Sequence, residues 1–136
     1  MAPLTTDRDT KERSRDRRTL PVKAATSIYA GAMVAVGADD FAVPMSTATT
    51  LRGVGRAERA VDNSAGADGD LSLDVGAGCY RFENSAGADE ITAADIGQPC
   101  YGVDDQTVAL TDGSSTRSVA GTIFDVDAQG VWVDFS

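Results

Sequence analysis

Histidine is absent from this chain, and its only two lysines, Lys11 and Lys23, stand near the N-terminus. These gaps exclude Ser-His and Cys-His nucleophile pairs, His-based zinc sites and, beyond residue 23, a Schiff-base lysine. Two cysteines, Cys79 and Cys100, do not complete a structural zinc site on their own. Large apolar side chains are also sparse, because much of the 42% hydrophobic fraction is alanine. A chain of 136 residues therefore suffices for one domain but buries only a modest core. No segment approaches the roughly 18 to 20 consecutive apolar residues of a membrane helix. The longest apolar-leaning run, Ile28 to Val36, is interrupted by Gly31. The N-terminus mixes Asp7, Asp9, Glu12 and Asp16 with its basic residues and has no apolar stretch, so it does not read as a secretory signal.

Carboxylates are what remain for catalysis, as in the acid/base pair of a glycosidase. Asp112-Gly113-Ser114 has the wrong order for an aspartic protease and reads as a turn. The expectation is a protein that is not an enzyme and takes no cofactor.

What the sequence does have is a charge asymmetry. Residues 1–23 carry Arg8, Lys11, Arg13, Arg15, Arg17, Arg18 and Lys23 against four acids, a net of +3, while residues 24–136 carry five arginines against seventeen acids, a net of −12. An acidic body repels a phosphate backbone, and a short basic tail seeks an acidic surface. Residues 1–21 show neither strand nor helix periodicity and read as a flexible basic arm closed by Pro21.

From Val22 the texture changes to short apolar runs punctuated by Gly, Asp and Asn. Strands are expected at Ser27 to Val36, Phe41 to Val43, Thr50 to Val61, Leu71 to Val75, Cys79 to Glu83, Cys100 to Val103, Thr107 to Leu110, Ser118 to Asp127 and Val131 to Phe135. Such spacing predicts an all-β body over 22–136, a small β-sandwich or barrel with an extended N-terminal arm and at most one short helix near Thr92 to Ile96. The last two runs, joined by Asp127-Ala128-Gln129-Gly130, predict a terminal hairpin. In it Val119, Gly121, Ile123 and Asp125 face away from Ala120, Thr122, Phe124 and Val126, and Trp132 serves as a core anchor or a subunit contact.

Residues 61–82 repeat in 82–103 at a shift of 21, with ten of twenty-two positions identical, among them Asn63-Ser64-Ala65-Gly66-Ala67-Asp68 against Asn84-Ser85-Ala86-Gly87-Ala88-Asp89, and Cys79-Tyr80 against Cys100-Tyr101. Two periods are too few for a solenoid, so the repeat reads as a duplicated hairpin-like unit with both Asn-led loops on one side of the sheet. The Asp-rich segments Asp68-Gly69-Asp70, Asp104-Asp105 and Asp125 to Asp127 suit turns better than calcium, since none follows an EF-hand order. Cys79 and Cys100 read as small buried residues, and Arg52, Arg56, Arg59 and Arg81 as partners in ion pairs.

One resemblance spans nearly the whole chain. Asp7-Arg8-Asp9-Thr10, Arg15-Asp16-Arg17-Arg18, Pro21-Val22-Lys23-Ala24-Ala25-Thr26-Ser27-Ile28-Tyr29-Ala30-Gly31, Val54-Gly55-Arg56-Ala57, Arg81-Phe82-Glu83-Asn84-Ser85, Ala94-Asp95-Ile96-Gly97, Tyr101-Gly102-Val103-Asp104-Asp105 and Gly130-Val131-Trp132-Val133 follow in an order that resembles the head decoration, or cement, proteins of Mu-like tailed bacteriophages. The resemblance implies a structural virion protein, assembled in the host cytoplasm, that binds the outer surface of the capsid and stabilises contacts between major capsid subunits. It implies as partners the major capsid protein and further copies of the chain, often as a trimer, with no nucleic acid and no membrane. The capsid-binding residues expected are Arg8, Lys11, Arg13, Arg15, Arg17, Arg18, Pro21 and Lys23. The alternative is a head-fibre or tail-associated module that binds a host surface or carbohydrate.

Overall fold

The computed structural model describes residues 2–136 and is nearly all β. Its strands are β1 (Arg17–Pro21), β2 (Thr26–Ile28), β3 (Met33–Val36), β4 (Ala42–Pro44), β5 (Arg52–Ala57), β6 (Val61–Asn63), β7 (Ser72–Gly76), β8 (Cys79–Phe82), β9 (Pro99–Gly102), β10 (Val108–Ala109), β11 (Val119–Asp127) and β12 (Gly130–Asp134). Two five-stranded antiparallel sheets, ordered β1-β7-β5-β3-β4 and β10-β9-β11-β12-β8, form a sandwich-like pair, and β2 with β6 makes a small third sheet. One parallel bridge joins the outer strands of each large sheet: Val22 to Ala42 in the first and Glu83 to Thr107 in the second. Each sheet is thereby curled on itself, which shortens the edges that would otherwise invite unwanted pairing.

Each large sheet has its own core. Val22, Ile28, Val34, Ala57, Val61, Leu73 and Val75 cluster in the first. Phe82, Ile91, Cys100, Val108, Ile123, Val131 and Val133 cluster in the second. β3 is buried on both faces, because alternate side chains point opposite ways along a strand: Val34 enters the first cluster, and Met33 and Ala35 enter the second. The sheets touch through their backbones as well. Met33 N–H donates to Asp105 C=O at 2.8 Å, and the Ser118 hydroxyl accepts from Leu51 N–H at 3.1 Å while donating to Ala48 C=O at 2.5 Å. Gly53 of β5 lies so near β11 that a Cβ there would stand 2.1 Å from the Ala120 carbonyl oxygen.

Several expected strands are divided or shifted. Ser27 to Val36 breaks into β2 and β3 at Tyr29-Ala30-Gly31, where Ala32 N–H bonds Tyr29 C=O at 3.1 Å and Gly31 takes φ +86°, a conformation that glycine adopts without a Cβ clash. Thr50 to Val61 becomes β5 and β6. The terminal hairpin forms as expected, with Asp127 opposite Gly130. Its faces differ from strict alternation, because the register shifts between Val119 and Gly121 against β9 and between Ile123 and Asp125 against β12. Each irregularity resets the side-chain parity. Ala120 and Ile123 are therefore both buried, while Phe124 is 63% exposed. Trp132 is half-buried outside both core clusters, its Nε1 donating to Asp127 Oδ2 at 2.9 Å and its ring 5.6 Å from the Arg81 guanidinium carbon.

The two copies of the repeat reuse their asparagines as loop clamps but build different elements. Asn63 Nδ2 donates to the carbonyls of Val22, Lys23 and Ala67 at 3.3, 3.0 and 3.1 Å. Asn84 closes its loop on Ile91, donating to the carbonyl at 2.8 Å and accepting from the N–H at 3.0 Å. The first copy then runs into strand β7, and the second into 3-10 turns at Gly87–Asp89 and Ala93–Asp95, the latter closed by a Thr92/Asp95 capping box. The loops serve different sheets, so they do not share one side of a single sheet as expected. Both copies end in a Cys-Tyr strand, β8 and β9.

The arm boundary also moves. Residues 17–21, expected in the arm, form strand β1, paired with β7 from Arg17 opposite Gly76 to Pro21 opposite Ser72. Leu20 packs on the first core and the Thr19 hydroxyl donates to Asp74 Oδ1 at 2.9 Å, which gives this charged segment enough contact to join the sheet. The structural body thus begins at Arg17, and the arm is residues 2–16, exposed throughout; Met1 lies outside the described residues.

Candidate partner-binding surface

The eight basic-segment residues singled out from the sequence fall into three places. Arg8, Lys11, Arg13 and Arg15 lie on the exposed arm, where the one ion pair is local, Lys11 Nζ to Asp9 at 2.8 Å. Arg17, Arg18 and Pro21 lie on β1. Lys23 follows β1 and pairs with the Asp39 carboxylate; that bond raises the Lys23 pKa and lowers that of Asp39, both at the exposed surface. The structure brings Arg13, Arg17 and Arg18 together around one hollow of about 390 Å3, which Thr19 and Asp74 complete. Arg8 and Lys11 lie outside it, and Lys23 borders a separate groove with Asp39 and Leu51. Arg15 is near enough to the end of β12 to contribute to the lowered pKa of Asp134, whose main cause is the Ser136 hydroxyl.

A cationic network ties β1 to the body. Arg17 Nη2 lies 3.4 Å from Glu58 Oε2, and Arg56 Nη2 donates to both Glu58 oxygens at 2.9 and 3.1 Å. The Arg56 guanidinium in turn sits 4.1 Å over the Tyr80 ring. Arg59 reaches Asp74 at 3.8 Å and Arg81 reaches Asp127 at 3.9 Å, so three of the four arginines expected in ion pairs form them, while Arg52 has none among the described residues. The sequence reading missed Arg117, which joins Asp89 at 3.2 Å and the Thr111 carbonyl at 3.1 Å and fastens the 111–117 loop. Nothing in the local pattern marks it, because its partner is 28 residues away.

The Asp-rich segments spend their carboxylates on nearby backbone. Asp68 accepts from Ala24 N–H at 2.8 Å, Asp70 from Ala67 N–H at 2.9 Å and Asp104 from Gln106 N–H at 2.9 Å. Asp127 accepts from Gln129 and Gly130 N–H at 2.8 and 3.1 Å, and its pKa is lowered first by the Trp132 indole bond. Among the described residues no group of three or more His, Cys, Asp or Glu side chains gathers as a metal site requires. No helix among them is long and apolar enough to cross a membrane.

A cleft of about 520 Å3 between the sheets is lined by two carboxylates, Asp112 and Asp134, together with Arg52 and Arg117. The lowered pKa of Asp134 keeps it ionised, the opposite of what a proton-donating acid needs. Both thiols are raised by burial, Cys100 to about 11. Compared with protein-family models, with curated proteins and with solved structures, the chain matches none of them.

Proposed function

We propose that this protein is a non-enzymatic structural component of a virion, a decoration protein that binds the outer surface of a phage capsid and stabilises contacts between major capsid subunits. The observation that carries this reading is the exposed basic arm, residues 2–16, joined through β1 to a compact acidic β body. An arm with no apolar face is costly to order alone and suits ordering on a partner. At about 3.3 Å per residue its 15 residues reach about 50 Å, enough to touch an adjacent subunit on a shell. Arg8, Lys11, Arg13 and Arg15 on that arm, with Arg17 and Arg18 at its root, supply the attraction to an acidic capsid groove. Support for a structural role also comes from the Asp side chains, which hold turns.

The test is the copy number of the chain in purified virions. A ratio near one to the major capsid protein supports decoration, whereas a handful of copies points to a fibre or tail component. That second reading, a host- or carbohydrate-binding module, is favoured by Tyr29 and Phe124, aromatic rings that are 74% and 63% exposed.

A further inference from the structure

We propose that the outer edge of β1 takes up an extended acidic segment of a partner protein as an added strand. The argument begins with hydrogen-bond parity. Ala77 N–H donates to Asp16 C=O at 3.0 Å and Val22 N–H to Leu71 C=O at 2.9 Å, so residues 16, 18, 20 and 22 turn their backbone groups toward β7. The groups of residues 17, 19 and 21 therefore turn outward. Position 23 follows the same parity: Lys23 N–H donates outward to Ala42 C=O at 3.1 Å, where β4 occupies this side. Beside residues 17–19 no strand follows, because β1 ends the order of its sheet and the bridge to β4 begins only at Pro21 and Val22.

The open slot presents the N–H and C=O groups of Arg17 and Thr19; the Pro21 carbonyl faces the same side but is taken up by β4 at the parallel Val22–Ala42 bridge. It ends where β4 begins. Pro21 lacks an N–H at a position whose N–H would face outward, so it costs β1 no bond to β7. The slot spans about 10 Å, three residues of strand from Arg17 to Thr19. Its chemistry selects charge: Arg13, Arg17 and Arg18 surround the adjoining hollow, and of these Arg17 has a carboxylate partner within reach, Glu58, while the Arg17 side chain itself remains 65% exposed. An incoming strand with acidic side chains at alternate positions would set its carboxylates over these guanidiniums while its backbone completes the ladder. A second copy's β1 would instead bring arginines toward arginines. The inference goes beyond the capsid reading and stands without it, since any partner offering such a strand would fit.

The experiment uses the full chain with a blocked heptapeptide of alternating glutamate and valine, and the same peptide with lysine for glutamate as control. Amide exchange followed by NMR should slow about tenfold or more at Arg17 and Thr19 with the glutamate peptide alone. Its affinity should fall severalfold between about 50 and about 300 mM salt. Thr19→Pro removes an outward N–H without touching the β7 ladder, so it should abolish binding while leaving the circular dichroism spectrum unchanged. Arg17→Gln with Arg18→Gln should weaken binding severalfold and keeps the test decisive if the proline variant misfolds. Equal protection by both peptides, no protection, or undiminished binding by the folded variants would overturn the proposal. So would slow, concentration-dependent exchange at Arg17 and Thr19 without peptide, which would show that a second copy fills the edge.

Discussion

Arg17 reaches Glu58 across the bare backbone of Gly76. Arg17 pairs with Gly76 in the β1–β7 register, Arg56 pairs with Gly76 on the other side, and a Cβ at Gly76 would lie 2.3 Å from Glu58 Oε1 and 2.1 Å from the Tyr80 hydroxyl. The absence of a side chain at one position thus lets a carboxylate and a phenol lie over β7 and connect β1 to β5.

Two glycine substitutions should separate a soft obstruction from a hard one. Gly76→Ala meets side-chain ends that can move, and should cost about 1 kcal/mol by displacing Glu58 and Tyr80 from a half-buried ion-pair network. Gly53→Ala meets the Ala120 backbone of the opposite sheet, and should cost about 3 kcal/mol or prevent folding. Urea unfolding of the two variants checks the order; equal losses would contradict it.

Removal of the arm tests where the body begins. Deleting residues 2–15 should leave the melting temperature of the body nearly unchanged, because every one of them is exposed and the ladder to β7 begins at the Asp16 carbonyl. Deleting residues 2–21 should lower it clearly, and Leu20→Ala should cost about 1 to 2 kcal/mol as a half-buried core contact. Under the proposed capsid-binding role, the shorter deletion should weaken attachment to purified capsids, and neutralising Arg13, Arg15, Arg17 and Arg18 should make what remains less sensitive to salt.

How much of this was legible in the sequence depends on how far apart the determining residues lie. The hairpin at Asp127 to Gly130 and the Asn-led turns were readable because their signals are local. β1 was not, since Arg17 and Arg18 obscure the alternation that Leu20 and Val22 complete, and Pro21 reads as a boundary when its missing N–H merely faces outward. The side-chain faces of β11 were lost for a related reason: two register shifts break the period of two, and no residue type announces them. Of the basic segment, the charge was evident, but the gathering of Arg13, Arg17 and Arg18 around one hollow, and the Glu58 anchor 41 positions beyond Arg17, depends on strand order.

The cysteines should stay reduced and differ in reactivity. Cys79 on β8 and Cys100 on β9 lie on non-adjacent strands, with β12 and β11 between them one way round the curled sheet and β10 the other, so about 9 Å or more parts their backbones, beyond the roughly 7 Å limit for a disulfide. Under mild oxidation the native protein should form no internal crosslink. An aromatic disulfide reagent should modify half-buried Cys79 first and buried Cys100 only on unfolding.

Acid should destabilise the fold through its lowered carboxylates. Asp62 is brought down from 3.8 to about 2 by hydrogen bonds from Ser64 and then Ser27. A group whose folded pKa is depressed contributes fully above its unfolded value and loses that contribution as pH falls through the folded one. The Asp62 contribution is therefore complete above about pH 4 and disappears toward about pH 2. Asp89, Asp127 and Asp134 act in the same direction. Asp62→Asn should flatten the acid limb of a stability profile measured by denaturant titration between these values; an unchanged limb would contradict the assignment.

β3 carries a consequence for how the molecule comes apart. Val34 belongs to one hydrophobic cluster while Met33 and Ala35 belong to the other, so the strand cannot leave one without opening a gap in both. Both cores are damaged together when β3 leaves, which couples the two halves, and heating should therefore produce a single calorimetric endotherm in which the van't Hoff and measured enthalpies agree.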